Sequence, residues 1–229
     1  MTTTFAPAPD WGRMVRLPGV YAPQADSALL AGAVGRERAV AGGDVLDVCT
    51  GSGALALHAA RLGARVTAVD IGRRAVLTAR LNALLAAHRI AVHRGDLLGS
   101  LLPGSTFDVL ISNPPYVPAP EAVPPRHRDA VAWDAGPDGR LLVDRVCDAA
   151  APALRPNGVL LMVHSALNGP DATVRRLAAA GLDAEITDRV TVPFGPVLRA
   201  RLPWLRRNGL LADRTDDREE LVVVRAEKH

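Results

Sequence analysis

The feature that most constrains this chain is a regular alternation of short apolar segments with helical segments from residue 44 onward. The apolar segments are rich in Val, Ile and Leu and have the length of buried strands. They span residues 44–49, 64–69, 90–93, 107–112 and 158–164, and the predicted helices span 26–34, 54–62, 73–88, 140–154 and 170–180. Asp26 or Ser27 is predicted to cap the first of these helices. Strands that alternate with helices need crossover connections, which indicates a parallel sheet covered by helices on both faces.

The pattern changes near the end of the chain, where two β-branched segments, 184–192 and 220–224, follow each other without an obvious long helix between them. We expect them to be antiparallel neighbours that close one edge of the sheet. The predicted fold is therefore an α/β, Rossmann-like arrangement of seven strands, mostly parallel, with an antiparallel last strand. Residues 1–20 contain three prolines and are interpreted as an arm. Residues 21–229 form a single predicted domain, with a basic insertion at 193–218.

Composition narrows the class of protein further. Hydrophobic residues make up 48% of the 229 positions but aromatic residues only 3%, so the core must be built from Ala, Val and Leu. The net charge of +3 is mild for a general nucleic-acid binder. Two cysteines form no disulfide framework and fit a reducing compartment. Without a signal peptide or a long apolar run, we expect a cytoplasmic protein with no membrane partner, and no His/Cys spacing indicates a metal.

A glycine turn, Gly51-Ser52-Gly53, stands between the first predicted strand and its helix. Glycines there allow close approach of a ligand, and the helix N-terminus offers unpaired N–H groups. Asp70 ends the second strand, where a carboxylate can accept the ribose hydroxyls of a nucleoside. The signal is weak alone, because Gly51-x-Gly53-x-x-Ala56 also satisfies the relaxed dinucleotide fingerprint of nicotinamide-dependent oxidoreductases.

Asp47 argues against a pyrophosphate, because a second carboxylate beside the glycine turn suits a cationic amino-acid moiety or a sulfonium instead. This favours S-adenosylmethionine (SAM) as the cofactor. The alternative is that Asp47 only hydrogen-bonds the turn. Asp96, after the third strand, is predicted either to meet the adenine amino group or to cap the helical segment that starts at Leu97.

The fourth predicted strand runs into Asn113-Pro114-Pro115-Tyr116. The two prolines fix the backbone and remove two N–H donors, so the segment offers carbonyl acceptors beside the Asn113 side chain. Asn113 Oδ1 and the Pro114 carbonyl can hold a planar –NH2 group and stabilise the positive charge that develops as its nitrogen attacks a methyl group. Tyr116 can stack on a flat substrate. The alternative is a tight Pro-rich turn with no chemical role.

Together these segments resemble the HemK-type class I methyltransferases, which methylate the side-chain amide of a glutamine in peptide-chain release factors. The matching segments are 20–27, 47–53, Asp70, 95–97, 113–117 and 132–140. The resemblance implies that Ser27, Asp47, Cys49, Thr50, Gly51, Gly53, Asp70, Asp96, Leu97 and Asn113 bind SAM. It also implies that Asn113, Pro114, Pro115 and Tyr116 hold the substrate amide, with Asn113, Pro114 and Tyr116 as the catalytic set.

The chain departs from that family in several places. We expect no counterpart of the helical N-terminal domain of the longer bacterial enzymes, since the start of the matching region is similar to the short eukaryotic and archaeal branch. Ala25 stands where an acid is expected, and Ala135-Gly136 where two glycines are frequent. Trp133 is predicted either to shield the substrate pocket or to cover the sheet. The insertion, with Trp204 and several arginines, is interpreted as a solvated amphipathic segment, with contact to RNA, an acidic protein or a membrane as the alternative.

Four functions remain open at this point. The leading hypothesis is methylation of a protein glutamine side chain, with a release factor as the partner. The second is methylation of an exocyclic base amine, adenine N6 or guanine N2, which requires an unpaired or flipped base. A nicotinamide-dependent oxidoreductase is a distant third, and a non-catalytic partner protein on the same fold is the fourth.

Overall fold

A computed structural model of the protein describes residues 9–120, 133–211 and 217–229. Its strands are β1 (Asp44–Val48), β2 (Arg65–Asp70), β3 (Ile90–Arg94), β4 (Phe107–Ser112), β5 (Leu154–Ser165), β6 (Leu182–Pro193) and β7 (Arg218–Lys228). They form one seven-stranded sheet in the order β3-β2-β1-β4-β5-β7-β6. Strands β1 to β5 pair in parallel, whereas β7 runs antiparallel to both β5 and β6. The predicted fold, including its antiparallel last strand, is confirmed.

Six α-helices are described: α1 (Ala25–Arg36), α2 (Ala54–Arg61), α3 (Arg73–Leu85), α4 (Leu141–Ala153), α5 (Pro170–Ala179) and α6 (Pro196–Arg207). The first five lie where the sequence predicts them, to within a few residues at each end. Within the described ranges, no helix is both long enough and apolar enough to cross a membrane.

The two faces of the sheet carry separate core clusters, and consecutive strand residues alternate between them. Val45 packs with α1, α2 and α3, whereas Leu46 packs with α4 and α5. This period of two is the geometry of an extended strand, and burial on both faces explains why the strand sequences are continuously apolar. The core consists mainly of Ala, Val and Leu, as the composition requires.

The prediction that the insertion contains no long helix is wrong, because α6 occupies its first half. The proline at position 196 suits the first turn of a helix, since its missing N–H would have no partner there. Leu198 and Leu205 are buried against Phe194 and form a third small cluster. Only a few leucines mark this apolar face among the arginines, which makes the helix hard to detect in the sequence. Residues 212–216 of the insertion lie outside the described residues.

The described part of the N-terminal arm lies against α3. The backbone N–H of Val15 donates to Asn82 Oδ1 at 2.8 Å, and Asn82 Nδ2 donates to the Val15 carbonyl at 3.0 Å. The same amide nitrogen donates to the carbonyl of Ser52 at 2.9 Å. Asn82 therefore connects the arm to the glycine turn. Residues 1–8 lie outside the described ranges.

Strand register brings the polar residues predicted for the site to one edge of the sheet. Val48 pairs with Val69 of β2 on one side and with Ser112 of β4 on the other. The glycine turn, Asp70 and Asn113 therefore leave the sheet side by side, at the carboxyl ends of the parallel strands. Because β7 is antiparallel to β5, its first residues reach the same edge. This is where doubly wound sheets bind their ligands.

Candidate active site

The glycine turn after β1 depends on backbone angles that favour glycine. Gly51 and Gly53 have φ angles of +56° and +81°, and Cys49 also adopts a left-handed φ of +61°. A Cβ added to Gly51 would meet no atom within 4 Å, so open space lies beside the turn. A Cβ added to Gly53 would lie 3.1 Å from the Cα of Ala79 on α3. The turn is therefore packed against α3 on one side and open to a ligand on the other.

Asp70, at the end of β2, stabilises the glycine turn by a hydrogen bond. Its Oδ2 accepts a hydrogen bond from the Gly51 N–H at 2.9 Å, and its Oδ1 accepts one from the Gly72 N–H at 2.8 Å. Desolvation raises the pKa of this carboxyl, and the two backbone N–H groups oppose that shift. Each oxygen keeps a further lone pair, which fits the predicted acceptance of ribose hydroxyls.

Asp47 is fully buried below the turn. Its Oδ2 accepts a hydrogen bond from the Thr50 hydroxyl at 2.6 Å, and burial raises the pKa of the carboxyl to about 7. The Ala56 backbone N–H lies close enough to the carboxylate to oppose that rise in pKa, but no described residue makes a well-aligned hydrogen bond to Oδ1. The bond to Thr50 is the turn-stabilising role that the sequence left open. The predicted contact of Asp47 with the cofactor stays a prediction.

The residues after β3 differ from the capping expectation and leave the adenine contact as a prediction. Asp96 is the N-cap residue of a short 3₁₀ turn from Leu97 to Ser100, but its side chain makes no capping bond. Both of its carboxylate oxygens lie 2.9 Å from Arg145 Nη2 on α4, in a half-exposed ion pair. Leu97 adopts a left-handed φ of +49°. Contact of Asp96 and Leu97 with an adenine remains a prediction, and Arg145 is a neighbour that the sequence did not reveal.

The acceptor loop, residues 113–119, starts at the end of β4. Asn113 Nδ2 donates to Asp26 Oδ2 at 3.0 Å and lies 3.3 Å from Ser27 Oγ. A carboxylate accepts hydrogen bonds only, so it orients the amide with its –NH2 group towards α1. Asn113 Oδ1 receives no hydrogen bond from the described residues and remains available as an acceptor, as the predicted chemistry requires.

Asp26 is a site residue that the sequence did not predict. It was expected, with Ser27 as the alternative, to cap α1, and this is wrong because Gln24 is the N-cap residue. Asp26 is instead buried inside the first turn, where it accepts hydrogen bonds from the hydroxyls of Tyr21 at 2.8 Å and Tyr116 at 3.1 Å. Its position beside Ser27, in the segment 20–27 that resembles the methyltransferase family, was its only signal in the sequence.

Tyr116 is largely buried, with 9% of its surface exposed, and packs in the core cluster under α4. Burial raises the pKa of its phenol, and the nearby Asp26 carboxylate raises it further. The hydroxyl therefore stays protonated and donates to Asp26. Its predicted stacking on a substrate stays a prediction.

The backbone of the acceptor loop is held by side chains from distant segments. Asn168 Nδ2 donates to the Tyr116 carbonyl at 2.9 Å, and Arg201 Nη1 on α6 donates to the Pro118 carbonyl at 2.9 Å. Val117 pairs in parallel with Asp134, and its N–H donates to the Trp133 carbonyl at 2.8 Å. Asn168 and Arg201 were not predicted as site residues.

These hydrogen bonds hold the loop from Tyr116 onward, and Asn113 and Pro114 at its start take no part in them. Among the described residues, no hydrogen bond to the Pro114 carbonyl is found, and the adjoining prolines supply no N–H. The Trp133 side chain is half-buried, and Ala132 lies outside the described residues. Asn113 Oδ1 and the Pro114 carbonyl are thus left as neighbouring acceptors.

The pieces fit SAM. The open space beside Gly51, the carboxylate of Asp70 and the unpartnered oxygen of buried Asp47 suit a nucleoside joined to a cationic group, and a loop rich in acceptors faces the same edge. The fold and site define a class I, SAM-dependent methyltransferase. Within that class, the chain belongs to the methyltransferase small domain family, whose model matches residues 12–179.

Relatives and solved structures agree with this assignment. The chain is 34% identical, over 178 residues, to a Methanocaldococcus jannaschii protein named as a protein N5-glutamine methyltransferase, covering 77% of this chain and 88% of the relative. It is 40% identical to the release factor glutamine methyltransferase of Gloeobacter violaceus over 71% of this chain, but spans only 59% of that enzyme.

Among solved structures, a chain of the E. cuniculi Mtq2–Trm112 complex matches with a TM-score of 0.61 and 23% identity, covering 92% of this chain and 99% of that chain. The T. thermophilus 16S rRNA N2 G1207 methyltransferase RsmC, solved with AdoMet and guanosine, matches with a TM-score of 0.64 and 23% identity. The match covers 93% of this chain and 46% of RsmC. At these identities the likeness concerns the fold. The nicotinamide-dependent alternative and the non-catalytic one are set aside by membership of the methyltransferase family.

Proposed function

We propose that this protein transfers the methyl group of SAM to the side-chain amide nitrogen of a glutamine in a protein, with a peptide-chain release factor as the substrate. The observation that carries the proposal is the orientation of Asn113. Its –NH2 group is held by Asp26, so its oxygen and the carbonyl of the adjacent Pro114 are left as two acceptors to which no described residue donates. A primary amide presents two N–H donors to such a pair.

SAM, when bound, supplies a methyl group on a sulfonium that is already a reactive donor. The protein's part is to hold the acceptor nitrogen. Asn113 Oδ1 and the Pro114 carbonyl take the two amide hydrogens and fix the plane of the amide, which removes most of the orientational freedom before attack. As the N–CH3 bond forms and the S–CH3 bond breaks, positive charge grows on the nitrogen. The same two acceptors stabilise that charge. The amide proton then leaves to solvent.

The relatives support a protein acceptor. Their names specify a protein N5-glutamine, a release factor glutamine and, for Bradyrhizobium diazoefficiens, a glutamine of ribosomal protein uL3. Release factors work on ribosomes, so we infer that this protein acts in the cytoplasm. A partner subunit such as the one in the Mtq2–Trm112 complex is not required by the proposal.

A second candidate is methylation of an exocyclic base amine. A base –NH2 group also presents two hydrogens, so the acceptor pair formed by Asn113 and Pro114 suits it equally. RsmC, which has this fold, was solved with guanosine. The base would have to be unpaired or flipped to reach the loop.

The test is a transfer assay with methyl-labelled SAM. Purified release factors, ribosomal proteins and total RNA from the host are offered separately, with Asn113→Ala as the inactive control. We expect label in a release factor, and loss of that label when its acceptor glutamine is replaced by asparagine. Label in RNA but not in protein would replace the leading proposal with the second candidate.

A further inference from the structure

Helix α6 belongs to the insertion, yet it packs next to the acceptor loop. Its buried residues Leu198 and Leu205 form a small core with Phe194, and the partly buried Val117 and Leu167 pack against that core. Val117 lies inside the acceptor loop and Leu167 follows β5. The helix is therefore seated on the substrate side of the sheet edge, separate from the two main core clusters.

Arg201 links α6 to the loop through one nitrogen. Its Nη1 donates to the Pro118 carbonyl at 2.9 Å and lies 2.6 Å from Asp134 Oδ1. The Arg201 side chain is 20% exposed and that of Asp134 only 4%. Because both partners are largely removed from water, the ion pair is screened far less than a surface pair.

The two groups that Arg201 contacts belong to the two segments that pair at the Val117–Asp134 β-bridge. Asp134 pairs with Val117, next to Pro118, and the Ala135 N–H donates to the Val117 carbonyl at 3.0 Å. Three of the seven loop residues are prolines without an N–H, so the loop can make fewer backbone hydrogen bonds than an ordinary segment. A side-chain donor from outside adds to the restraint that the Val117 and Ala119 N–H groups provide.

Resting on the proposed function, we propose that Arg201 is a positioning residue, which holds the acceptor loop in the geometry that the Asn113 and Pro114 acceptors need. It does so by pinning the Pro118 carbonyl and Asp134 together from α6. The insertion is then part of the active-site framework. Arg199, on an exposed part of the same helix, makes no such link within the described residues.

The first test measures transfer and cofactor binding side by side. In Arg201→Ala we expect kcat for the protein acceptor to fall about 30- to 100-fold, because a displacement of about 1 Å at a reacting centre has an effect of that size. The KM for the acceptor and the Kd for S-adenosylhomocysteine should each change less than about threefold on the same reasoning. Since a single nitrogen makes both contacts, the ammonium of Arg201→Lys should restore part of kcat. Arg199→Ala should behave as the wild type.

The second test needs no acceptor at all. Hydrogen–deuterium exchange of the segment 113–119 should be about three- to tenfold faster in Arg201→Ala than in Arg199→Ala, with Arg201→Lys between the two, while β1 and β4 remain protected. If Arg201→Ala fails to fold, the lysine variant carries both measurements.

Unchanged exchange in this segment would overturn the inference, as would a rise in acceptor KM alone, which would indicate direct substrate contact. A loss of cofactor affinity as large as the loss of kcat would indicate a general structural role for Arg201, and it would also overturn the inference. If the wild type labels no protein, the proposed function fails, and the exchange experiment still decides whether Arg201 holds the loop.

Discussion

The cofactor half and the acceptor half of the site are held together in different ways. Around the glycine turn the contacts are close in sequence, with Thr50 three positions from Asp47 and Gly51 nineteen from Asp70. In the acceptor half, Asn113 binds Asp26 across 87 positions and Pro118 binds Arg201 across 83. The first half is thus assembled by neighbouring strand–helix units. The second half requires the distant segments that contain Asp26 and Arg201 to be in place. Substitutions there should therefore lower the rate of methyl transfer without weakening cofactor binding.

The sharpest separation should come from Asn113→Ala, which removes one of the two acceptors and leaves the Asp26 carboxylate without this donor. Loss of one group that stabilises charge in a transition state lowers kcat by about 10²- to 10³-fold. Steady-state transfer of labelled methyl to the acceptor measures this.

The rise in melting temperature caused by S-adenosylhomocysteine serves as the control for Asn113→Ala, because it reports cofactor binding independently of transfer. We expect most of that rise to persist. Activity within tenfold of the wild type would mean that Asn113 is not the acceptor for the amide.

The opposite pattern is expected for Asp70→Ala. The change removes the predicted ribose acceptor and releases the N–H groups of Gly51 and Gly72. A hydrogen bond to a charged group contributes about 1.5 to 3 kcal/mol, so the Kd for SAM should rise about 10- to 100-fold. At saturating SAM, kcat should recover to within a few-fold. Calorimetric titration with S-adenosylhomocysteine is the measurement, and an unchanged Kd would remove Asp70 from the cofactor site.

The same division explains how much could be predicted from the sequence. The period-two burial of the strands and the turn glycines are local properties, so seven strands, five helices and the position of the glycine turn and Asn113 could be located in advance. The role of Asp26 could not, because its burial comes from Asn113 and Tyr116, which follow it by about 90 positions. A polar residue at the start of a helix is ordinarily a cap, and only tertiary contacts make it the centre of a network.

The insertion shows that tertiary contacts can also bury a residue predicted to be exposed. The charge of its arginines indicates a solvated segment, yet Arg201 is mostly buried, where it contacts Asp134 and Pro118. Neither partner is close in sequence. The residue type alone could not distinguish Arg201 from the exposed Arg199.

The free energy of unfolding should also distinguish the cofactor half from the acceptor half. Gly53→Ala tests how tightly the glycine turn of the cofactor half packs against α3. A left-handed φ costs a non-glycine residue about 1 to 2 kcal/mol, and the 3.1 Å approach to Ala79 adds to it. We expect a loss of about 2 to 3 kcal/mol, seen as a fall in melting temperature of roughly 4 to 10 °C.

Gly104→Ala is the matched control for Gly53→Ala. It has a similar φ of +79°, but its added Cβ would meet nothing within 4 Å. It therefore isolates the cost of the backbone angle. If the two variants melt at the same temperature, the packing of Gly53 on α3 contributes nothing.

The smallest effect is expected from Asn168→Ala, which weakens the acceptor loop away from its reactive start. The variant loses the bonds from Asn168 Nδ2 to the carbonyls of Tyr116 and Asp138, which are 2.9 and 3.0 Å long. Arg201 and the Val117 bridge still hold the loop, so the loss should be about 1 kcal/mol, or roughly three- to tenfold in kcat. Cofactor affinity should not change, since none of the contacts that Asn168 makes with described residues reaches the glycine turn. Asn208→Ala, an exposed asparagine at the end of α6, is the control. A kcat equal to that of this control would show that Arg201 and the Val117 bridge are sufficient to restrain the loop. A fall as large as that of Asn113→Ala would show that these two contacts contribute no rigidity without Asn168.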